Sequence, residues 1–232
     1  MAQFEQNQST GRRQFIGSLA VGAAGIGASI AAPLSLQANQ FPPNPDSEDP
    51  EAVFNKITGK HKVVFDATKP HDLMPFAWPR VFLMTNQKTG TPEKDCSAVV
   101  VLRHDAIPYA FEDRLWEKYK FGELFKADDP ATKAPAIRNP FAKPAAGEYK
   151  VPGIGPVAIG INELQASGVI FVVCDAAITV YSAVVADTMK MTPEDVKKDW
   201  MTGLLPGITP VPSGVWALGR AQEKGCAYIF AG

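Results

Sequence analysis

Three short runs, Ser97 to Leu102 (SAVVVL), Val169 to Cys174 (VIFVVC) and Val63 to Asp66 (VVFD), are apolar at successive positions rather than at alternate ones. A strand with one wet face alternates, whereas an unbroken apolar run suits a strand covered on both faces, as in a mostly parallel sheet with helices on each side. Cys226 to Phe230 (CAYIF) is a further run of the same kind. Ile208 to Val211 is another candidate, and its Pro210, which removes a ladder donor, places it at an edge. Between the runs lie helical patterns. Pro108 to Tyr119 sets Phe111, Leu115 and Tyr119 on one face, and Gly155 to Ser167 sets Val157, Ile161 and Leu164 on one face before Gly168 stops it. Thr192-Pro193-Glu194-Asp195 is a helix start, with Thr as cap, Pro in the first turn and acids at the positive end of the dipole. Ser213 opens a last helix that Gly225 ends. Strand and helix alternate, so the expected class is α/β with a parallel sheet and right-handed crossovers.

Two stretches stand outside this alternation. Near the N-terminus, Arg12-Arg13 precedes a long uncharged segment whose glycines and Pro33 make it less apolar than a membrane span. Residues 1–38 therefore resemble a twin-arginine signal peptide, which implies export in the folded state and a periplasmic location, with membrane contact only through an uncleaved leader. Residues 39–60, rich in Pro, Asn and acids at their start, read as a linker to a domain over 61–232. Within that domain, 122–152 carries prolines at 130, 135, 140, 144 and 152 and little periodicity. A connection of that length is a lid, a binding loop, an oligomer contact or a packed surface insertion.

A formal net charge of −1 leaves no basic face for nucleic acid. No GxSxG, HExxH, GxGxxG or phosphate-loop pattern occurs, and the three cysteines, Cys96, Cys174 and Cys226, form no CxxC and no zinc-finger spacing. The chemistry-bearing residues are then those at the carboxyl ends of the strands, where an open parallel sheet leaves its crevice. Asp66 closes the first run, Arg103 and His104 follow the second, and Cys174 closes the third. Cys174 is followed at once by a helix start, whose unpaired N–H groups favour a thiolate, so the residue reads as a nucleophile or as a packed core cysteine. His104 and Arg103 are its candidate electrostatic aids. Asp66 is a ligand-binding candidate or a turn cap, and Arg138, in the phrase Arg138-Asn139-Pro140-Phe141, is an anion-binding candidate or part of a turn. Cys96 and Cys226 begin strands at the opposite edge and read as structural.

The segment Glu163 to Cys174 (ELQASGVIFVVC) resembles the helix, Gly-Val, strand, Cys signature of DsrE/DsrF-like proteins, and Val211-Pro212-Ser213-Gly214-Val215 continuing to Gly225-Cys226-Ala227-Tyr228-Ile229 resembles their close. The resemblance implies a flavodoxin-like three-layer α/β/α sandwich with a mostly parallel five-stranded sheet, assembled into a homo-oligomer. In sulfur-relay members the cysteine at this strand end carries sulfane sulfur as a persulfide between a donor and an acceptor protein, a role that falls by position on Cys174. The alternative is a non-catalytic module of the same fold, whose rim of Asp66, His104 and Cys174 holds a small ligand or a metal ion; one Cys and one His make a poor metal set.

Overall fold

A computed structural model describes residues 49–232, so the twin-arginine segment and the first part of the expected linker, residues 1–48 in all, lie outside the described residues. The chain runs β1 (His61–Ala67), α1 (Met74–Lys88), β2 (Cys96–Leu102), α2 (Asp113–Tyr119), α3 (Phe121–Leu124), β3 (Lys150–Val151), β4 (Gly155–Pro156), α4 (Ile161–Ala166), β5 (Ile170–Cys174), α5 (Asp175–Met189), α6 (Pro193–Thr202), β6 (Ile208–Val211), α7 (Gly214–Glu223) and β7 (Ala227–Phe230). Five strands form one sheet in the order β6-β5-β2-β1-β7, every pair parallel, and β3 and β4 form a separate antiparallel pair. Helices cover both faces, giving a three-layer α/β/α sandwich.

This order fixes which face each helix takes. From β1 through β2 and β5 to β6 the chain advances one strand at a time in one direction, so right-handed crossovers put all the intervening helices on the same face. The step from β6 to β7 runs backwards across the whole sheet, and the same handedness puts α7 on the other face. Packing follows this division. Val63, Phe65, Val100, Phe171 and Val173 join Phe76 of α1, Leu164 of α4, Ile178 of α5 and Trp200 of α6 in the larger core. Val64, Val99, Val101, Val172 and Val211 pack against Ala217, Leu218 and Ala221 of α7. The strand order read in chain sequence is 4-3-2-1-5, which differs from the flavodoxin order 2-1-3-4-5.

Several expectations are corrected. Residues 52–56, inside the stretch read as linker, form a 3-10 turn, and Val53, Phe54 and Ile57 are buried beside α7 in the smaller core. Burial of such side chains contributes about 1.5–3 kcal/mol each, which outweighs the polar character of the preceding residues. The helix read over Gly155 to Ser167 begins only at Ile161, because Gly153 and Gly155 hold positive φ and Pro156 pairs with Lys150. Its start is marked by Glu163, whose Oε2 accepts the Gly160 N–H at 2.9 Å. The helix read over Pro108 to Tyr119 divides into a 3-10 turn over His104–Ala110, an extended Phe111 bridged to Leu204, and α2, although Phe111, Leu115 and Tyr119 are all buried as the spacing requires. The edge assignment of β6 and the Thr192 and Ser213 caps agree with the sequence: their hydroxyls accept the N–H groups of Asp195 and Trp216. β7 departs from the two-sided burial expected of it, with Tyr228 45 % and Phe230 56 % exposed on the other edge. Helix α1, absent from the elements expected above, spans the β1 to β2 crossover with Pro75 in its first turn and Pro79 inside it.

The 122–152 insertion is packed rather than free. Phe125, Ala136, Phe141 and Tyr149 are buried in the larger core, and Phe141 stacks on Phe76 with centroids 4.2 Å apart. Asn139 fastens it: Nδ2 donates to the carbonyls of Tyr109 and Phe111, both at 2.9 Å, while Oδ1 accepts the Phe141 N–H at 3.1 Å.

Candidate functional site

The connections of two neighbouring strands part company at one place only among the described sheet strands, between β5, whose α5 leaves to the larger core, and β6, whose α7 leaves to the smaller. That is where an open α/β sheet offers its crevice. Cys174 is the last residue of β5 and pairs in register with Val211 of β6. It is also the cap of α5: its Sγ accepts the Ala177 N–H at 3.3 Å. An acceptor sulfur at the positive end of a 15-residue helix is placed where negative charge is stabilised. The side chain is buried, with 6 % of the residue exposed. Backbone joins the two helix starts, since the Ala176 N–H donates to the Pro212 carbonyl at 3.2 Å.

Arg103 stands beside Cys174. Leu102 of β2 pairs with Val173 of β5, so the next step along the two parallel strands brings Arg103 and Cys174 level. From there the guanidinium turns toward β1: Nε donates to Asp66 Oδ1 at 2.6 Å and Nη2 to Oδ2 at 2.9 Å. The Tyr228 hydroxyl donates to the same Oδ2 at 2.8 Å. The Asp66 side chain is 2 % exposed and that of Arg103 27 %. The hydrogen bond to Asp66 raises the Arg103 pKa, burial opposes this, and the nearby Cys174 sulfur adds a smaller upward push. Burial, and then the bond to Asp66, raise that of the Tyr228 hydroxyl. Asp66 is thus the penultimate residue of β1 with its carboxylate fully engaged, rather than a turn cap or a free ligand. Gly214, first residue of α7, lies directly on the Arg103 stem; a Cβ there would sit 2.6 Å from Arg103 Cβ.

His104 occupies the left-handed region at φ 50° and exposes its ring. Its Nδ1 lies 3.1 Å from Asp105 Oδ1, which also accepts the Tyr181 hydroxyl, and its ring meets that of Tyr181 edge-on at 6.0 Å. His104 is therefore tied to α5 through Asp105 and Tyr181, and it makes no hydrogen bond with Cys174. Arg138 is not brought to this rim; it pairs with Glu148 at 3.4 Å inside the insertion, and the meaning of its sequence phrase lies in Asn139 and Phe141. Cys96 and Cys226 are buried free thiols at the amino ends of β2 and β7, with pKa values raised by burial.

Sequence reasoning named Gly214 and Tyr228 only within the closing signature, without a role at the site, and passed over the Asp105–Tyr181 pair. A signal for Tyr228 exists: an aspartate inside an apolar strand needs a buried cation and a second donor, and the closing strand is the place to look for one. Among the described residues no group of three His, Cys, Asp or Glu side chains is placed to hold a metal ion, and no helix is long and apolar enough to cross a membrane. Compared with known families and curated proteins, the sequence matches no family model and no curated relative.

Proposed function

We propose that this chain is an exported DsrE/DsrF-like sulfur carrier, acting in the periplasm as a homo-oligomer, in which Cys174 accepts sulfane sulfur from a donor protein or polysulfide and passes it on as a persulfide. The observation that supports this most is the position of Cys174: it ends a central strand at the crevice of the sheet, caps a helix through its sulfur, and has a fixed cation on the next strand. Cys96 and Cys226 lie at the amino ends of their strands and neither caps a helix through its sulfur, although Cys226 too has a cation, Lys62, level with it on β1. The twin-arginine resemblance of residues 1–38 supports the location, and the sequence signatures around Cys174 and Tyr228 support the family reading.

The chemistry is an exchange at sulfur. The Cys174 thiolate attacks the terminal sulfur of a donor R–S–S⁻, the donor S–S bond breaks, and its electron pair leaves on R–S⁻, giving Cys174–S–S⁻. Atoms and charge balance with no outside oxidant. The Ala177 N–H, already directed at Sγ, steadies the thiolate before the attack.

Intact-protein mass spectrometry after polysulfide treatment tests this. Wild type is expected to gain one sulfur, a gain that Cys174→Ser abolishes and that Cys96→Ser and Cys226→Ser retain. No gain, or a gain shared by all three cysteines, overturns the carrier reading and leaves a small-ligand-binding role for the same fold.

A further inference from the structure

Resting on that reading, we propose that Arg103 is the cation that brings an anionic sulfur donor to Cys174, and that the buried Asp66 carboxylate and the Tyr228 hydroxyl are positioning residues that hold it there. The argument begins with Asp66. Position 66 lies between Phe65 and Ala67 in the buried part of β1, where the other residues from Val63 onward are apolar, and Asp66 is among the few charged side chains buried in the described structure. A buried ion pair is weak evidence for stability, because an apolar pair of similar volume often holds a fold as well. Three strands nevertheless contribute to this one: Asp66 from β1, Arg103 next to β2, Tyr228 from β7.

What the arrangement achieves is a guanidinium with two of its nitrogens fixed and the third free. Nε and Nη2 are committed to Asp66, whereas Nη1 has no hydrogen-bond partner among the described residues and the side chain keeps part of its surface in solvent. Gly214 lets α7 lie on the aliphatic stem, which blocks the side chain from leaving toward that helix. The polarity of the pair is also set by the sheet. Arg103 is level with Cys174 on the adjoining strand, while Asp66 is one strand further away, so the cation is the nearer of the two charges to the cysteine. Strands stand about 4.8 Å apart, which makes this difference in distance large relative to the separation of the two charges. An exchange between Cys174–S⁻ and R–S–S⁻ brings two anions together, and a fixed cation beside them offsets that repulsion.

The test compares an anionic and a neutral alkylating reagent of almost the same shape, iodoacetate and iodoacetamide, on the folded protein, with modification at Cys174 assigned by peptide mass. The ratio of the two rates reports the local cation and is independent of how readily the thiol reacts. Arg103→Gln is expected to lower the iodoacetate-to-iodoacetamide ratio roughly three- to tenfold, and Arg103→Lys to restore part of it. Asp66→Glu and Tyr228→Phe keep the charge of the cluster, so a fall of about twofold in either reports position alone. Polysulfide uptake by Arg103→Gln should slow in the same proportion. An unchanged ratio in folded Arg103→Gln, or in Arg103→Met should the Gln variant not fold, overturns the role of Arg103; wild-type ratios in both Asp66→Glu and Tyr228→Phe overturn the positioning role. A wild type that takes up no sulfur while its ratio still depends on Arg103 refutes the carrier function and leaves this inference standing as an anion-directing device.

Discussion

Replacing Asn139 by Ala removes the amide that fastens the proline-rich insertion to the core. The side chain makes three hydrogen bonds, two given to the carbonyls of Tyr109 and Phe111 and one taken from the Phe141 N–H, and the residue is buried. Truncation leaves two carbonyls and one N–H without their partner in an apolar setting. Each such orphan costs about 1–3 kcal/mol, less where a water molecule enters the vacated space, so the loss is roughly 3 kcal/mol in all. The Asn139 main-chain N–H keeps its bond to Asp113 and is not part of the sum. Against a typical total of about 5–15 kcal/mol this is a large fraction, equivalent to a fall in melting temperature of about 6–12 °C for a domain of this size. Urea denaturation followed by circular dichroism measures it, with Arg138→Ala as the neighbouring control. That control removes only an exposed ion pair with Glu148 and should stay within about 0.5 kcal/mol of wild type. If Asn139→Ala proves no worse than Arg138→Ala, the insertion is not anchored as described and the reasoning fails.

Two further outcomes follow from other parts of the molecule. Burial pushes the Asp199 carboxyl up, but hydrogen bonds from Lys118, Arg114 and Tyr119 more than reverse this and hold its pKa at about 2, against an ordinary 3.8. A depressed carboxylate pKa stabilises the fold above the unfolded value, and that contribution, roughly 2 kcal/mol, is lost as pH falls from about 4 through 2; Asp199→Asn should flatten the urea midpoint over this window while lowering it at neutral pH. Gly214→Ala places a Cβ 2.6 Å from Arg103 Cβ, and the forced shift should cost about 1–3 kcal/mol and disturb the Arg103–Asp66 pair; an unaltered melting temperature together with a wild-type alkylation ratio would count against the packing described.

The strands were the most legible part of the chain, because uninterrupted apolar runs such as SAVVVL have few other uses in a domain of this size. Cap chemistry was equally readable: Thr192 and Ser213 mark their helices by hydroxyls that need a main-chain donor. Helix α1 was not readable, since Pro79 is a breaker by local rule and packing of Phe76 and Leu83 on the sheet overrides it, while Pro75 sits in the first turn, where proline is tolerated. The start of α4 was misplaced because Val157 continues the periodic spacing although its N–H is given to Tyr149 across the β3–β4 strap. Within the candidate site, Cys174 and Arg103 could be placed on one rim from strand order alone. That Arg103 is bound to Asp66 could not, because the partner sits on a strand whose position in the sheet depends on the whole path of the chain. For Arg138, read as an anion binder or part of a turn, the structure shows a pair with Glu148, and the demanding residue of its phrase is the buried Asn139 rather than the exposed cation.

The last sheet strand in chain order, β7, pairs with the first, β1. Tyr228 and Asp66, whose side chains meet there, are 162 residues apart in sequence. During synthesis the first strand therefore waits, with Asp66 lacking one of its donors, until residue 230 has left the ribosome and closed beside it. Contacts between such distant segments slow folding. A chain halted or clipped before β7 would present the open flank of β1 and a half-satisfied buried charge. An export route that accepts only folded cargo, as proposed for this chain, could use the joining of β7 as its sign that the domain is complete.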